Sequence, residues 1–268
     1  MPGISLLSLI RSRRGRGVLN SLLRYYGLPG RIALLARFYA QFIQAGDLCF
    51  DIGAHVGDRI RAFSRLGARV VAAEPDPLCA ALLKRWYSGR PEITLLEAAL
   101  GAWPGSQRLY ISQRNPTLNT LSREWIQDIQ RSRQFQGIEW DATLEVSVTT
   151  LDRLIGEYGL PRFCKIDVEG YELEVLEGLS QALPALSFEY NPAVPDIALA
   201  CVARLMALEE YEFNWTVREV PRFRSRAWLD ADSICAGLRA LPLEARTGDV
   251  YARLVSETWL PATISAPS

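Results

Sequence analysis

Acidic residues stand at or near the ends of several short apolar runs, at spacings that suit a shared site. Asp51 closes Leu48-Cys49-Phe50 and leads into Ile52-Gly53-Ala54-His55-Val56-Gly57, where two glycines lie four apart. Glu74 closes Arg69-Val70-Val71-Ala72-Ala73, and Phe163-Cys164-Lys165-Ile166 runs into Asp167-Val168-Glu169-Gly170. Glu189 comes near the end of a further run, Ala185 to Tyr190. A carboxylate at a strand end accepts hydrogen bonds from an ammonium or a hydroxyl, and glycines at 53 and 57 would let the backbone approach a ligand closely. If the first two runs are parallel neighbours, Asp51 and Glu74 share one sheet edge, where Glu74 can take both hydroxyls of a ribose. Asp167, Glu169 and Glu189 are the candidate bases, because crowded carboxylates raise one another's proton affinity.

Two cofactors contain a nucleoside that such carboxylates could hold. A dinucleotide needs a further glycine where its pyrophosphate meets the helix start, in the pattern G-x-G-x-x-G. That position is His55, whose ring obstructs the approach. S-adenosylmethionine carries no phosphate and tolerates the ring, so the motif favours it over NAD. A nicotinamide-dependent oxidoreductase and a non-catalytic protein of the same fold stay open as alternatives. His55 is the one histidine of the chain. It reads as pocket wall or hydrogen-bond partner before base, although a neutral ring can take a proton at about pH 7. A divalent metal on Asp167, Glu169 and Glu189 suits their oxygen chemistry but is not favoured. Lys165 reads as one half of a structural ion pair.

The elements that must position these residues follow from periodicity and punctuation. Helical spacing covers Val18 to Tyr26 and Arg31 to Gln44, separated by the turn Gly27-Leu28-Pro29-Gly30; this helical extension over 1–45 can cap the sheet. Strand and helix then alternate: a strand to Asp51, a helix Arg59 to Leu66, a strand to Glu74, a helix from Pro77 through Trp86, a strand Ile93 to Leu96. The alternation breaks at about 101–148. There Leu109-Tyr110-Ile111 and Leu144 to Val148 read as an antiparallel pair around a polar excursion containing Asn119 and Thr120. Thr149 or Thr150 caps a helix to Tyr158, and a strand through Phe163 to Gly170 delivers its carboxylates to a helix from Tyr171 to Leu179. Tyr171, Glu172, Asn119 and Thr120 have the chemistry to meet an acceptor. Ala185 to Tyr190 is the next strand, Ile197 to Glu210 is helical, and Glu212 to Val220 with Asp249 to Val255 suits a closing antiparallel pair.

At 268 residues the chain fits one decorated α/β domain, with 46–268 as its body. Its 30 basic and 30 acidic residues cancel, which argues against a general nucleic-acid binder and for a small-molecule partner. The five cysteines show no paired spacing and no nearby histidine, and Cys49 and Cys164 sit in apolar runs, which fits a reducing, cytoplasmic setting. No apolar run is long enough to span a bilayer. Ile4 to Ile10 precedes Arg11, Arg13, Arg14 and Arg16, the wrong order for a secretory signal; a weak membrane contact by this amphipathic start is the alternative to a helix packed on the protein.

Asp51-Ile52-Gly53-Ala54-His55-Val56-Gly57, Glu74-Pro75, Thr149-Thr150-Leu151-Asp152 and Lys165-Ile166-Asp167-Val168-Glu169-Gly170-Tyr171-Glu172 together resemble the FkbM family of S-adenosylmethionine-dependent methyltransferases, over roughly Gly46 to Asn191. The resemblance implies an α/β, Rossmann-like class I methyltransferase fold, with a seven-stranded, mostly parallel sheet, a reversed last strand and helices on both faces. It implies O-methylation of a hydroxyl on a polyketide, sugar or other small metabolite. By the same resemblance Asp51, Gly53 and Gly57 would cradle the methionine end of the cofactor, with Ala54, His55 and Pro75 in the same set. Glu74 would hold the ribose, Asp76 and Ala98 would lie near the adenine, and Asp167 would sit beside the cofactor's amino group or the acceptor. His55 departs from the asparagine usual at its place.

Overall fold

The computed structural model describes residues 12–259. Two helices open the described chain: α1 (Arg13–Tyr26), capped by Ser12, and α2 (Arg31–Tyr39). The apolar spacing that predicts helix as far as Gln44 outlasts the helix itself, because Phe42 and Ile43 bury their side chains from a turn whose amides bond Tyr39 O. Then come β1 (Leu48–Ile52), α3 (Asp58–Arg65), β2 (Arg69–Ala73), α4 (Pro77–Trp86), β3 (Ile93–Leu96), β4 (Ala99–Leu100) and β5 (Gly105–Ile111). The polar excursion holds α5 (Arg123–Ile129), a helix whose start the Ser122 cap on Trp125 N marks and which sequence reading passed over. The remaining elements are β6 (Ala142–Thr149), α6 (Leu151–Tyr158), β7 (Phe163–Ile166), α7 (Glu172–Glu177), β8 (Ala185–Tyr190), α8 (Pro195–Met206), β9 (Tyr211–Trp215), α9 (Ala231–Arg239) and β10 (Gly248–Leu254).

Seven strands form one sheet in the order β3-β2-β1-β7-β8-β10-β9. All are parallel except β10, which lies between β8 and β9 and runs antiparallel to both. The expected closing pair therefore forms with the last strand wedged inside the edge. β7 is shorter than expected: it stops at Ile166, because Glu169 and Gly170 adopt positive φ and turn the chain out of the sheet. A second sheet, β4-β6-β5, carries the expected antiparallel pair with Leu109 opposite Leu144.

Side-chain alternation divides the core between the two faces of the main sheet. On β1, Leu48, Phe50 and Ile52 join α6, α7, α8 and α9 in one apolar cluster, while Cys49 joins α2, α3 and α4 in the other. Leu35, Ala36 and Tyr39 of α2 are buried, so the second face is built in part by residues that precede β1. Among the described residues no helix is long and apolar enough to cross a membrane. The amphipathic start from Ile4 through Arg11 lies outside the described residues. All five cysteines are free.

Candidate active site

The first cleft lies at the carboxyl ends of β1 and β2 and encloses about 930 Å³, its open mouth included. Asp51 reaches its wall from the end of β1 and is 1% exposed. Its Oδ2 has no hydrogen-bond partner among the described residues. Burial, reinforced by the charge of Asp58, pushes its carboxyl up to about 7. Glu74 follows β2, and its two oxygens each accept one backbone amide, from His55 at 2.7 Å and from Asp76 at 2.8 Å. Each oxygen keeps a further lone pair for a ligand hydroxyl. Burial, then the charge of Asp76, pushes Glu74 up to about 8. Ala54, Pro75 and Ala98 also line this cleft.

The two glycines also serve contacts between segments, and Gly53 lines the cleft. Gly53 has φ +84°, and a Cβ there would stand 1.9 Å from the carbonyl oxygen of Asp167. It is glycine because the turns after β1 and β7 touch, and that contact brings Asp51 and Asp167 into one site. Gly57 is not on the cleft wall; at φ +79° it starts α3, and a Cβ would stand 2.6 Å from Leu83 Cδ2 of α4. Close packing of α3 on α4 therefore requires glycine at 57.

Asp76 serves the structure beside the cleft. It is 1% exposed and off the cleft wall, capping α4 through the amides of Leu78 and Cys79. It also accepts from Arg14 Nη2 at 2.6 Å and Asn119 Nδ2 at 3.0 Å. With these donors it ties α1 to the Asn119 loop. His55 does line the cleft, with its Nδ1 3.6 Å from Cys79 Sγ and the Tyr25 ring edge-on at 6.1 Å. Cys79 is the histidine neighbour that linear spacing hid. Burial lowers the imidazole to about 4, so the ring is neutral and too weak a base to take a proton near neutrality.

A second cleft of about 1080 Å³ adjoins the first and shares Tyr25, Arg59, Thr117, Asp167, Glu169 and Glu219 with it. Glu189 lines only the second. Asp167, Glu169 and Glu189 each offer an oxygen within 4.8 Å of the others. Burial and the charge of Asp167 hold Glu169 well above the usual carboxylate range, and burial and Glu169 do the same to Glu189. Lys165, 1% exposed, pairs with Asp167 at 3.1 Å and Asp249 at 2.9 Å. Burial opposes its charge, but Asp167 and then Asp249 outweigh it and raise the ammonium well above its usual pKa. The trio has donors and spacing suited to a divalent ion, and Lys165 already places a positive charge on Asp167.

Glu172 does not face the acceptor side. It is 2% exposed and accepts the amides of Val168 at 3.1 Å and Gly170 at 3.0 Å, stiffening the turn that carries Asp167 and Glu169. Tyr171, Asn119 and Thr120 do line the first cleft, where Tyr171 donates its hydroxyl to Gln107 Oε1 at 2.9 Å. Sequence reading missed Tyr25 and Glu219. Glu219 is gripped by Arg31, with Arg59 and Arg24 each 3.7 Å away. Burial opposes its charge, but Arg59 and Arg31 outweigh it and keep the carboxyl below its usual range. Only the fold brings α1, α2 and the turn after β9 together, so no local signal could have found this cluster.

An open sheet with a reversed strand beside its edge, a glycine turn after β1 and a buried acid after β2 defines a class I methyltransferase architecture. A family model described as the methyltransferase FkbM domain matches residues 51–214, more than half of the chain, and the chain belongs to that family. The match favours methyl transfer over the dinucleotide alternative. Among solved structures, precorrin-6y C5,15-methyltransferase from Geobacter metallireducens GS-15 is 12% identical with a TM-score of 0.42, covering 84% of this chain and 87% of that one. An O-methyltransferase from Bacillus cereus in complex with SAH is 11% identical with a TM-score of 0.40, covering 93% and 90%. The plantazolicin methyltransferase BpumL is 9% identical with a TM-score of 0.42, covering 93% and 94%. Values this low say nothing about substrate. No curated protein matches the chain.

The residues present fit S-adenosylmethionine. The unpartnered Asp51 oxygen suits an ammonium, and Glu74 keeps lone pairs for ribose hydroxyls.

Proposed function

We propose that the protein is an S-adenosylmethionine-dependent O-methyltransferase acting on a hydroxyl of a small metabolite, with sugars and polyketides as the acceptor classes the family suggests. Its zero net charge supports a small-molecule acceptor over a nucleic acid. The cofactor, when bound, supplies a methyl group on a sulfonium. Asp51 binds its ammonium end, Glu74 holds the ribose, and Ala54, His55, Pro75 and Ala98 form the wall around it. An alcohol is a poor nucleophile, so the acceptor proton needs a receiver. The observation that carries the reading is the pair Glu169 and Glu189, whose raised proton affinity suits it to take that proton beside the cofactor cleft. Asp167, ion-paired with Lys165, orients the acceptor.

Calorimetry with S-adenosylmethionine and S-adenosylhomocysteine tests the cofactor assignment: saturable binding of both is expected, and absence of both overturns it. Release of S-adenosylhomocysteine across a panel of sugars, hydroxy acids and polyketide alcohols tests the reaction. Intact cofactor binding without turnover of any panel member favours the non-catalytic alternative.

A further inference from the structure

Among the described residues, three other than glycine adopt clearly positive φ: His55 at 47°, Glu169 at 55° and Arg218 at 55°. That backbone is disfavoured for residues with a side chain and gathers at working sites. His55 lines the first cleft, Glu169 lines both, and Arg218 lines the second. Backbone bonds fix the turn that carries Arg218. Its amide donates to Thr247 O at 2.6 Å, and the amide of Thr216 donates to Asp249 O at 2.8 Å. A Cβ on Gly248 would stand 2.2 Å from Thr216 O, so the turns after β9 and before β10 are in tight contact. Arg246, on the second of these turns, lines the same cleft.

The other cationic groups at this cleft stand in ion pairs. Arg59 pairs with Asp58 and Glu219, Arg24 approaches Glu219, and Lys165 contacts both Asp167 and Asp249. Glu169 and Glu189 each offer an oxygen within 4.8 Å of the other. Arg218 and Arg246 are exposed and have no ion-pair partner among the described residues. The two unpaired guanidiniums therefore stand on adjoining turns of a cleft that Glu169 and Glu189 also line, together with Thr117, Gln134 and Asn191.

We infer that the acceptor carries an anionic group, phosphate or carboxylate, which Arg218 and Arg246 receive while its hydroxyl rests over Glu169 and Glu189. The inference rests on the methyl-transfer reading of this site. A guanidinium pairs with either anion through two parallel charge-assisted hydrogen bonds, which sets orientation as well as affinity.

The test titrates inorganic phosphate and acetate separately into full-length protein saturated with S-adenosylhomocysteine. Saturable binding of at least one ion is expected, weakened about tenfold in Arg218→Gln and lost in Arg218→Gln with Arg246→Gln. Preference for phosphate assigns a phosphorylated acceptor, and preference for acetate a carboxylic one. Failure of both ions to saturate, or binding unchanged in the double variant, overturns the inference. S-adenosylhomocysteine binding is measured first in every variant. If the wild type fails there, the methyl-transfer reading falls; if it binds there and the ions do not, this inference alone falls.

Discussion

The two adjoining clefts are built in different ways. The first is assembled from short contiguous segments at the ends of neighbouring parallel strands: Asp51 to His55, Glu74-Pro75 and Asp167 to Glu169. The second borrows its far wall from Gln134, Asn191, Arg218 and Arg246, which sit on separate turns. Strand-end placement follows from the pleat and the crossover, so that chemistry recurs wherever the topology does. Loop placement depends on each turn's own path, and there the protein is free to choose its acceptor.

The sharpest way to break this division of labour is to remove the base. Glu169→Gln is expected to lower kcat by about a hundredfold or more while cofactor affinity holds, as read by steady-state kinetics and calorimetry. Normal turnover would remove Glu169 from the proton path. On the cofactor side, Asp51→Asn should weaken S-adenosylmethionine about 10- to 100-fold, the range of a lost charge-assisted hydrogen bond. The same change should raise the melting temperature of the cofactor-free protein, because it replaces a buried, unpartnered carboxyl. A variant that loses both affinity and stability would contradict this account of Asp51.

Proton linkage gives a smaller effect. Asp51, Glu74 and Glu172 bind their protons more tightly in the folded protein, at about 7, about 8 and about 7. Folding is therefore favoured while they are protonated, and that contribution is lost as pH rises through those values. The cofactor-free protein should melt at progressively lower temperature from about pH 5 to about pH 8, and saturation with S-adenosylmethionine should flatten the slope by giving Asp51 and Glu74 partners. A melting temperature that rises over this window in the cofactor-free protein would refute the linkage. The smallest change expected is from Asn119→Ala, which removes the bond to Asp76 at 3.0 Å and should raise KM for the cofactor a few-fold with kcat kept.

The contrast also explains what could be read from the chain alone. The main sheet, its reversed strand and the strand-end acids were legible because apolar runs, glycines and acids lie close together in sequence. Gly53 and Gly57 were legible from their spacing, and both have positive φ; what the sequence did not disclose is that one also serves a turn-to-turn contact and the other helix packing. The resemblance offered Asp76 as a cofactor neighbour, while its cap of α4 and its bonds to Arg14 and Asn119 emerge only from the fold. Glu219, Arg218 and Cys79 were invisible because their partners are brought near only by packing between distant segments.

Asp76 has one more effect. Its amide steadies Glu74, while its carboxylate holds the first turn of α4, Arg14 and the Asn119 loop. A nucleoside bound at Glu74 is therefore expected to settle the Asn119 loop before the proposed acceptor enters. Turnover should be sequential and ordered, with the methyl donor entering first and S-adenosylhomocysteine leaving last. Inhibition by that product would then be competitive with the donor and not with the acceptor.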